Sequence, residues 1–460
     1  MGERMWIMYK MYLVLPRNIS LGGRLMARGL HNVFSASSRN VELTVKPVSC
    51  LHDEPVSIKV SGLGPDEYVT LHASMNDSKG LNYMSYAHYR ANVDGLVDLD
   101  KMESVGGRYR GVFPMGLIGT LMPALCENQF FRFTKKDIEY PNVVTVTVYR
   151  GHLSAEQASS PDTAQPWAAV THLRHYMGLG VQRIPVRYGK VRGCLFLPPG
   201  DGPFPGVIDM YGTGGGLMEH RSAQLASRGF ASLALAYFHY DDLPKYLDEL
   251  HISYFEEAVE FMLKHDKVLK PHLGSIGLSK GADLVLSLAT YIPEVKAVVW
   301  INGCNANVQA ELHLHDETLP ALQIDASKIK IAGVVNCSEA LVDPQEYPNT
   351  IIPIEEADAH FLFIVGCEDQ NWDSEKHADQ AVERLRRARR YNYEVLRYPR
   401  TGHLLEPPYS PFCYASYHKL YENVLLWGGI ANFHVEAQAK AWKATLAFLH
   451  KHLDAPKEKL

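Results

Sequence analysis

Gly274-Ser275-Ile276-Gly277-Leu278-Ser279-Lys280-Gly281, running into Ala282-Asp283-Leu284-Val285-Leu286-Ser287-Leu288, is the stretch whose reading decides the fold. A short apolar strand enters a Gly-x-Ser-x-Gly turn and a helical apolar pattern leaves it. That order is what a nucleophile elbow requires: the serine occupies a strained strand-to-helix turn, and the flanking glycines let neighbouring backbone approach without a Cβ clash. Ser279 then stands at the positive end of a helix, where the amide of Lys280 can face a developing oxyanion. In an isolated loop the same five residues would carry no chemistry. The strand before them and the helix after them argue against a loop.

Working outward from this turn, the chain after Val181 reads as strands that come singly with helices between them. Val186 to Tyr188 and Val191 to Leu197 form a hairpin across Gly189-Lys190. Candidate buried strands follow at 206–210, 231–236, 275–278, 295–301, 361–365 and 393–398, with helices at 221–228, 254–264, 281–290, 374–388 and 435–452. Such alternation implies a mostly parallel sheet covered on both faces, whose ligands sit beyond the carboxyl ends of the strands. The polar residues that follow each strand therefore matter most. After 206–210 comes Tyr211-Gly212-Thr213-Gly214-Gly215-Gly216, which can offer Gly212 as a second oxyanion donor; no Gly-x-Gly-x-x-Gly or Walker lysine supports a nucleotide loop instead. After 361–365 comes Glu368-Asp369-Gln370-Asn371-Trp372, and after 393–398 comes Gly402-His403. Asp369 is preferred to Glu368 and Asp373 because it lies a few residues past the strand end, where a loop can return its carboxylate to the histidine. The order Ser279, Asp369, His403 is the nucleophile, acid and base order of the α/β-hydrolase fold. Asp209, inside a strand, and Asp283, in the first turn after Ser279, read as structural. Cys367 lacks a pattern that would make it a nucleophile.

Upstream, residues 41–150 alternate with period two: Val56, Ile58 and Val60; Val69, Leu71 and Ala73; Val144, Val146 and Val148. Gly- and Asp-rich turns between them predict a small antiparallel β-sandwich, more suited to covering a neighbouring site than to reacting. Residues 151–180 read as a linker with a short helical piece, and 181–455 as the catalytic α/β-hydrolase domain. The first 40 residues carry Arg4, Lys10, Arg17, Arg24, Arg28 and Arg39 against the single acid Glu3, the composition of a mitochondrial transit segment, and predict the mitochondrial matrix. The alternatives are the cytosol and, because Glu458-Lys459-Leu460 resembles a peroxisomal tripeptide, the peroxisome. The 46% hydrophobic and 21% charged content, with a net charge of -5, is that of an ordinary globular chain and gives no footprint for nucleic acid. The 7 cysteines are dispersed and read as free thiols in a reducing compartment. No Cys-x-x-Cys and no His pair at zinc spacing occurs, so neither a metal nor a cofactor is expected; nor is a membrane-spanning segment, since the apolar run Met5 to Leu15 is too short and is broken by Lys10.

Asp209-Met210-Tyr211-Gly212-Thr213-Gly214-Gly215-Gly216, Tyr254-Phe255-Glu256-Glu257-Ala258, Gly277-Leu278-Ser279-Lys280-Gly281, Ile301-Asn302-Gly303, Asp369-Gln370-Asn371-Trp372 and Gly402-His403-Leu404-Leu405-Glu406-Pro407-Pro408 together resemble the type I acyl-CoA thioesterases, a family that also includes bile acid-CoA:amino acid N-acyltransferase. The resemblance runs from about Val41 to the C-terminal helix. It implies an N-terminal β domain on an α/β-hydrolase, a triad on Ser279, Asp369 and His403, and acyl-CoA as substrate. The amino-acid-conjugating branch carries cysteine at the nucleophile position, where serine stands here, so water is the expected acceptor. N-acyl transfer to glycine or taurine, a serine carboxylesterase or peptidase, and an acyl-CoA binding protein without activity are the competing expectations.

Overall fold

The computed structural model describes residues 40–161 and 164–454. The basic leader and the Glu458-Lys459-Leu460 terminus lie outside the described residues. The N-terminal unit is a sandwich of two sheets. One joins Glu42–Lys46, Ser57–Ser61 and Val97–Asp98; the other orders Ser49–Leu51, Pro166–His175, Asn142–Arg150, Tyr68–Asn76, Asn82–Arg90 and Gly106–Gly107, with Met122–Pro123 also paired to Asn82–Arg90. Alternation sends Val45, Ile58 and Val60 of the small sheet against Val69, Leu71, Val146 and Val148 of the large one, all buried.

One expectation fails here. The stretch read as a linker does contain a short helix, Ala155–Ser159, but Pro166–His175 is a full strand of the large sheet, antiparallel to Asn142–Arg150 and parallel to Ser49–Leu51. Its disguise is chemical. The inward positions near its end are His172 and Arg174, both buried, while the apolar residues are only partly covered, so no apolar alternation marks it. Arg174 Nη2 donates to the carbonyls of His52 (2.5 Å) and Glu54 (2.8 Å). Pro166 takes the first position of the strand, where a missing N–H does least harm.

The second unit is built on one sheet of eight strands: β1 (Gln182–Tyr188), β2 (Val191–Leu197), β3 (Phe204–Met210), β4 (Ala231–Ala236), β5 (Val268–Leu278), β6 (Val295–Ile301), β7 (His360–Gly366) and β8 (Tyr393–Tyr398). Their spatial order is β1-β2-β4-β3-β5-β6-β7-β8, with β3 to β8 mutually parallel and the β1–β2 hairpin antiparallel at one edge. The helices are α1 (His220–Ser227), α2 (Ile252–Lys264), α3 (Lys280–Tyr291), α4 (Ser374–Arg387) and α5 (Ala431–Leu453). The central strands face apolar cores on both sides. Ile208, Val298, Phe361 and Phe363 pack with α2, α3 and α4, while Val207, Val299, Leu362 and Ile364 pack with α1 and α5. Both faces being covered explains the near-continuous apolar runs read in the sequence. The chain runs from β3 to β4 on one side and then returns to β5 on the other. The crevice at the carboxyl ends of β3 and β5 is therefore the switch point of the sheet, where α/β folds bind ligands.

The two units are locked across their seam. Asp53 accepts from Arg228 (2.6 Å and 2.8 Å) and from the indole N–H of Trp442 (2.7 Å), and the Phe412 amide donates to the Leu121 carbonyl at 3.1 Å. Arg132, from the sandwich, pairs with Glu406 of the loop that follows β8.

Candidate active site

Ser279 directly follows β5 and caps α3 with φ 60 and ψ -126, a conformation that L residues avoid and that costs about 1–3 kcal/mol. The surroundings hold it there. The Ser279 amide donates to the Ile301 carbonyl of β6 at 3.0 Å, and the Ser279 carbonyl accepts from the Ala282 amide at 2.8 Å. The two glycines of the motif are sterically required: a β-carbon on Gly277 would lie 2.0 Å from the Gly281 oxygen, and one on Gly281 would lie 2.6 Å from the Met210 oxygen. Gly212, the first residue past Tyr211 after β3, lies against the serine itself. A methyl group there would meet Ser279 Cβ at 2.7 Å and Oγ at 3.0 Å.

The structure brings His403 and Asp369 together. His403 Nδ1 donates to Asp369 Oδ2 at 2.7 Å, and both side chains are buried. Asp369 is a saturated acceptor: the amides of Asn371 (2.8 Å) and Trp372 (3.0 Å) reach Oδ1, and the Ser374 hydroxyl (2.6 Å) reaches Oδ2. Asp373, a rival candidate, instead caps α4 by accepting from the Lys376 amide at 3.2 Å. With Nδ1 donating, the lone pair of His403 Nε2 is left for a proton. That nitrogen is 3.4 Å from Asn371 Nδ2, a long contact, and no hydrogen bond joins it to Ser279 Oγ. The imidazole lies stacked on Trp427 (5.6 Å, 17°) and edge-on to Trp372 (5.9 Å, 63°).

Several positioning residues are given no role by the sequence alone. Asn302, directly after β6, donates through Nδ2 to the carbonyls of Gly402 (3.1 Å) and His403 (2.8 Å), and its Oδ1 accepts from the Gly366 amide (2.7 Å). One buried amide thus ties the acid loop and the base loop to the strand whose last carbonyl holds Ser279. The rule that selected Asp369, a polar residue just past a strand end, applies equally to Asn302 and could have found it. His434, in the first turn of α5, accepts from the Gly402 amide at 3.2 Å and donates to the Leu404 carbonyl at 2.8 Å, bracketing His403. Burial draws its pKa down to about 4, against the Leu404 bond, so the ring stays neutral and can do both. No sequence signal marks it.

Lys280 and Asp283, one turn into α3, form a fully buried ion pair at 2.8 Å; Lys280 also donates to Asn307 Oδ1 at 2.9 Å, and Asp283 accepts from the Val308 amide at 3.1 Å. Burial raises Asp283 to about 6 despite Lys280. Asp209 is likewise paired with buried Arg221 at 2.5 Å and accepts from Ser222 at 2.8 Å. Both carboxylates brace the walls of the site, as the sequence suggests. Beneath the glycine loop, Tyr211, His220 and Glu406 form a closed triangle with edges of 2.8, 3.0 and 2.9 Å, and Arg132 reaches Glu406 from the sandwich. Burial, then the guanidiniums of Arg132 and Arg221, holds His220 at about 3. Glu406 is already paired with Arg132, so it does not restore the proton. Among the described residues the group close enough to share a metal ion, Glu249, His251 and His313, contains none of the triad.

A family model described as "Acyl-CoA thioester hydrolase/BAAT N-terminal region" matches residues 53–188, and one described as "BAAT / Acyl-CoA thioester hydrolase C terminal" matches residues 250–455. The human protein named acyl-coenzyme A thioesterase 1 is 44% identical over 408 residues, 88% of this chain and 94% of that protein. Mouse "Acyl-coenzyme A thioesterase 2, mitochondrial" is 40% identical over 445 residues, 96% of this chain and 94% of its own. Mouse "Peroxisomal succinyl-coenzyme A thioesterase" is 42% identical over 418 residues, 89% of this chain and 96% of its own. The chain therefore belongs to the acyl-CoA thioester hydrolase/BAAT family.

Proposed function

We propose that the protein hydrolyses acyl-CoA thioesters through a Ser279-His403-Asp369 triad and an acyl-serine intermediate. The observation that carries this reading is the strained Ser279 at the end of β5, on the same rim as a histidine already fixed by its carboxylate at 2.7 Å. With Nδ1 donating to Asp369, Nε2 is the base: it takes the Ser279 proton as Oγ attacks the thioester carbonyl. Engagement requires Nε2 to exchange its long Asn371 contact for the serine hydroxyl, a tightening that substrate commonly brings about. The amides of Lys280 and Gly212 are the proposed oxyanion donors, each worth roughly 2.7–4 kcal/mol. In support, Gly212 abuts Ser279 and Lys280 opens α3, where the helix dipole favours negative charge.

The departing CoA thiol resembles a cysteine side chain, with a pKa near ~8.5, so the first half-reaction needs little acid help. Deacylation of an oxygen ester is the harder half, and water activated by His403 is the acceptor proposed. Glycine or taurine would be favoured by a thioester intermediate, which Ser279 does not form. The sandwich, from about residue 41 to the start of β1, is proposed to shape the entrance, and Arg132 beside Glu406 supports that role. Delivery to the mitochondrial matrix is proposed from the leader. Alignment with the mouse mitochondrial relative over 445 residues reaches well into that leader and supports it.

The test is thiol release from palmitoyl-CoA by the purified protein, with glycine and taurine added in parallel and the products resolved by mass spectrometry. Free fatty acid as sole product, lost in Ser279→Ala, is expected. Thiol release unchanged in that variant, or N-acyl products in preference to acid, would overturn the reading.

A further inference from the structure

The segment that leads into α2 and the excursion between β6 and β7 meet in a small three-stranded sheet, Glu249–His251, Glu311–Leu314 and Glu317–Leu319. The first two strands are parallel and in register: Glu249 stands opposite Glu311, Leu250 opposite Leu312 and His251 opposite His313. Leu250 and Leu312 are buried, so by alternation Glu249, His251 and His313 share the outer face. Their heads converge. The two imidazoles stack with centroids 4.8 Å apart, and both present Nε2 to one carboxylate, His251 at 3.6 Å from Glu249 Oε1 and His313 at 3.5 Å from Oε2. One ligand atom from each residue can be chosen so that all three lie within 4.8 Å of one another.

These spacings are close to those of a metal site. Ligands held tetrahedrally at about 2.0–2.2 Å from zinc lie about 3.3–3.6 Å from each other, so whichever Glu249 oxygen is the ligand, one imidazole-to-carboxylate edge is already near its final length. No edge exceeds 4.8 Å, so the other two must shorten by at most about 1.5 Å, which side-chain rotation on an open face can supply. Two imidazoles and one carboxylate suit zinc and its transition-metal neighbours, not the all-oxygen tastes of magnesium or calcium. Outer support is also present: His313 Nδ1 is hydrogen-bonded to Thr318 Oγ1 at 3.0 Å, which orients the ring and leaves Nε2 as the ligand. The Glu249 side chain is 65% exposed and that of His313 30%, so water has access to a fourth position.

We propose that Glu249, His251 and His313 form a surface site for a divalent transition-metal ion of the zinc type, clamping the entry of α2 to the β6–β7 excursion. The site lies outside the Ser279 chemistry, and its fate is independent of that reading. The sequence alone predicts no metal because these residues are distant along the chain and only parallel strand pairing unites them. The competing description is a carboxylate bridging two histidines, which takes up no metal.

The experiment is calorimetric titration of chelator-stripped, full-length protein with zinc chloride, paired with thermal melts. One equivalent bound by wild type and absent from His251→Ala/His313→Ala is expected. Glu249→Gln, a change on an exposed side chain, and Thr318→Val, which removes only the outer hydrogen bond, are each expected to weaken binding about tenfold or more. Zinc at about a hundredfold excess over its Kd should raise the Tm of wild type by about 3 °C and leave that of the double variant unmoved. No uptake by wild type, or equal stoichiometry and affinity in the wild type and the variants, overturns the proposal.

Discussion

The rim of the sheet and the seam between the two units use the same side chains to opposite ends. At the rim, His403 is held from one side by Asp369 and its Nε2 has only the long Asn371 contact. At the seam, His220 is closed against Tyr211 and Glu406, and burial, reinforced by Arg132 and Arg221, draws its pKa down to about 3. Proximity to a carboxylate does not make a histidine a base. What separates the two is whether the second nitrogen is left with only a long contact, and whether the carboxylate is already neutralised by a cation.

The largest effect that could break this contrast is the loss of one ring or the other. His403→Ala should lower kcat by roughly 10⁴-fold or more, whereas His220→Ala should change kcat by no more than about tenfold; steady-state thiol release from both proteins checks this. Comparable losses would mean that the seam takes part in the chemistry. Asp369→Asn should preserve the loop while presenting the wrong tautomer of His403, with a fall in kcat of about 10⁴-fold at unchanged KM. The same assay at saturating substrate reads it.

Much of the rim is legible in the sequence because covalent order dictates it. A Gly-x-Ser-x-Gly between an apolar strand and an apolar helix leaves few backbone paths, and Asp369 follows a strand buried on both faces, whereas the strand before His403, expected to be buried, is a half-covered edge strand marked only by its alternation. What joins the loops is less visible. Asn302 acts through main-chain carbonyls of residues a hundred positions away, and His434 sits in a helix whose other members are ordinary core residues. Composition carries no trace of either. The strand Pro166–His175 was hidden for a related reason: His172 and Arg174 occupy positions where apolar residues would have announced it. Arg132 belongs to a loop of the sandwich, and only the packing of the units shows that it meets Glu406.

His434 sharpens the contrast through pH. Its folded pKa of about 4 lies below the ordinary histidine value, so above about pH 6.5 it is neutral in both folded and unfolded chains and imposes no pH dependence. As pH falls from about 6.5 to 4 the unfolded chain takes up a proton that the folded one refuses, and stability is lost through that window, by up to roughly 3 kcal/mol from this group. His434→Asn should be less stable at neutral pH and have a shallower slope over the same window, as urea melts at a series of pH values would reveal. An unchanged slope would contradict the neutral, bracketing role.

The smallest expected effect is at the seam. Arg132→Ala leaves Glu406 without its cation, and because the guanidinium is partly exposed the expected loss is about 1–2 kcal/mol of stability. It also removes a charge that lowers His220, whose pKa should then rise, visible as a shifted imidazole titration by NMR. A fall in kcat as large as that of Asp369→Asn would show that the seam is part of the reaction.

The account stands or falls on where the acyl group rests between the two half-reactions. Asp369→Asn protein mixed with palmitoyl-CoA, quenched rapidly in acid and mapped by peptide mass spectrometry, should carry the acyl group as an oxygen ester on Ser279. An acyl group found on a cysteine or any other side chain, with turnover intact in Ser279→Ala, would contradict it.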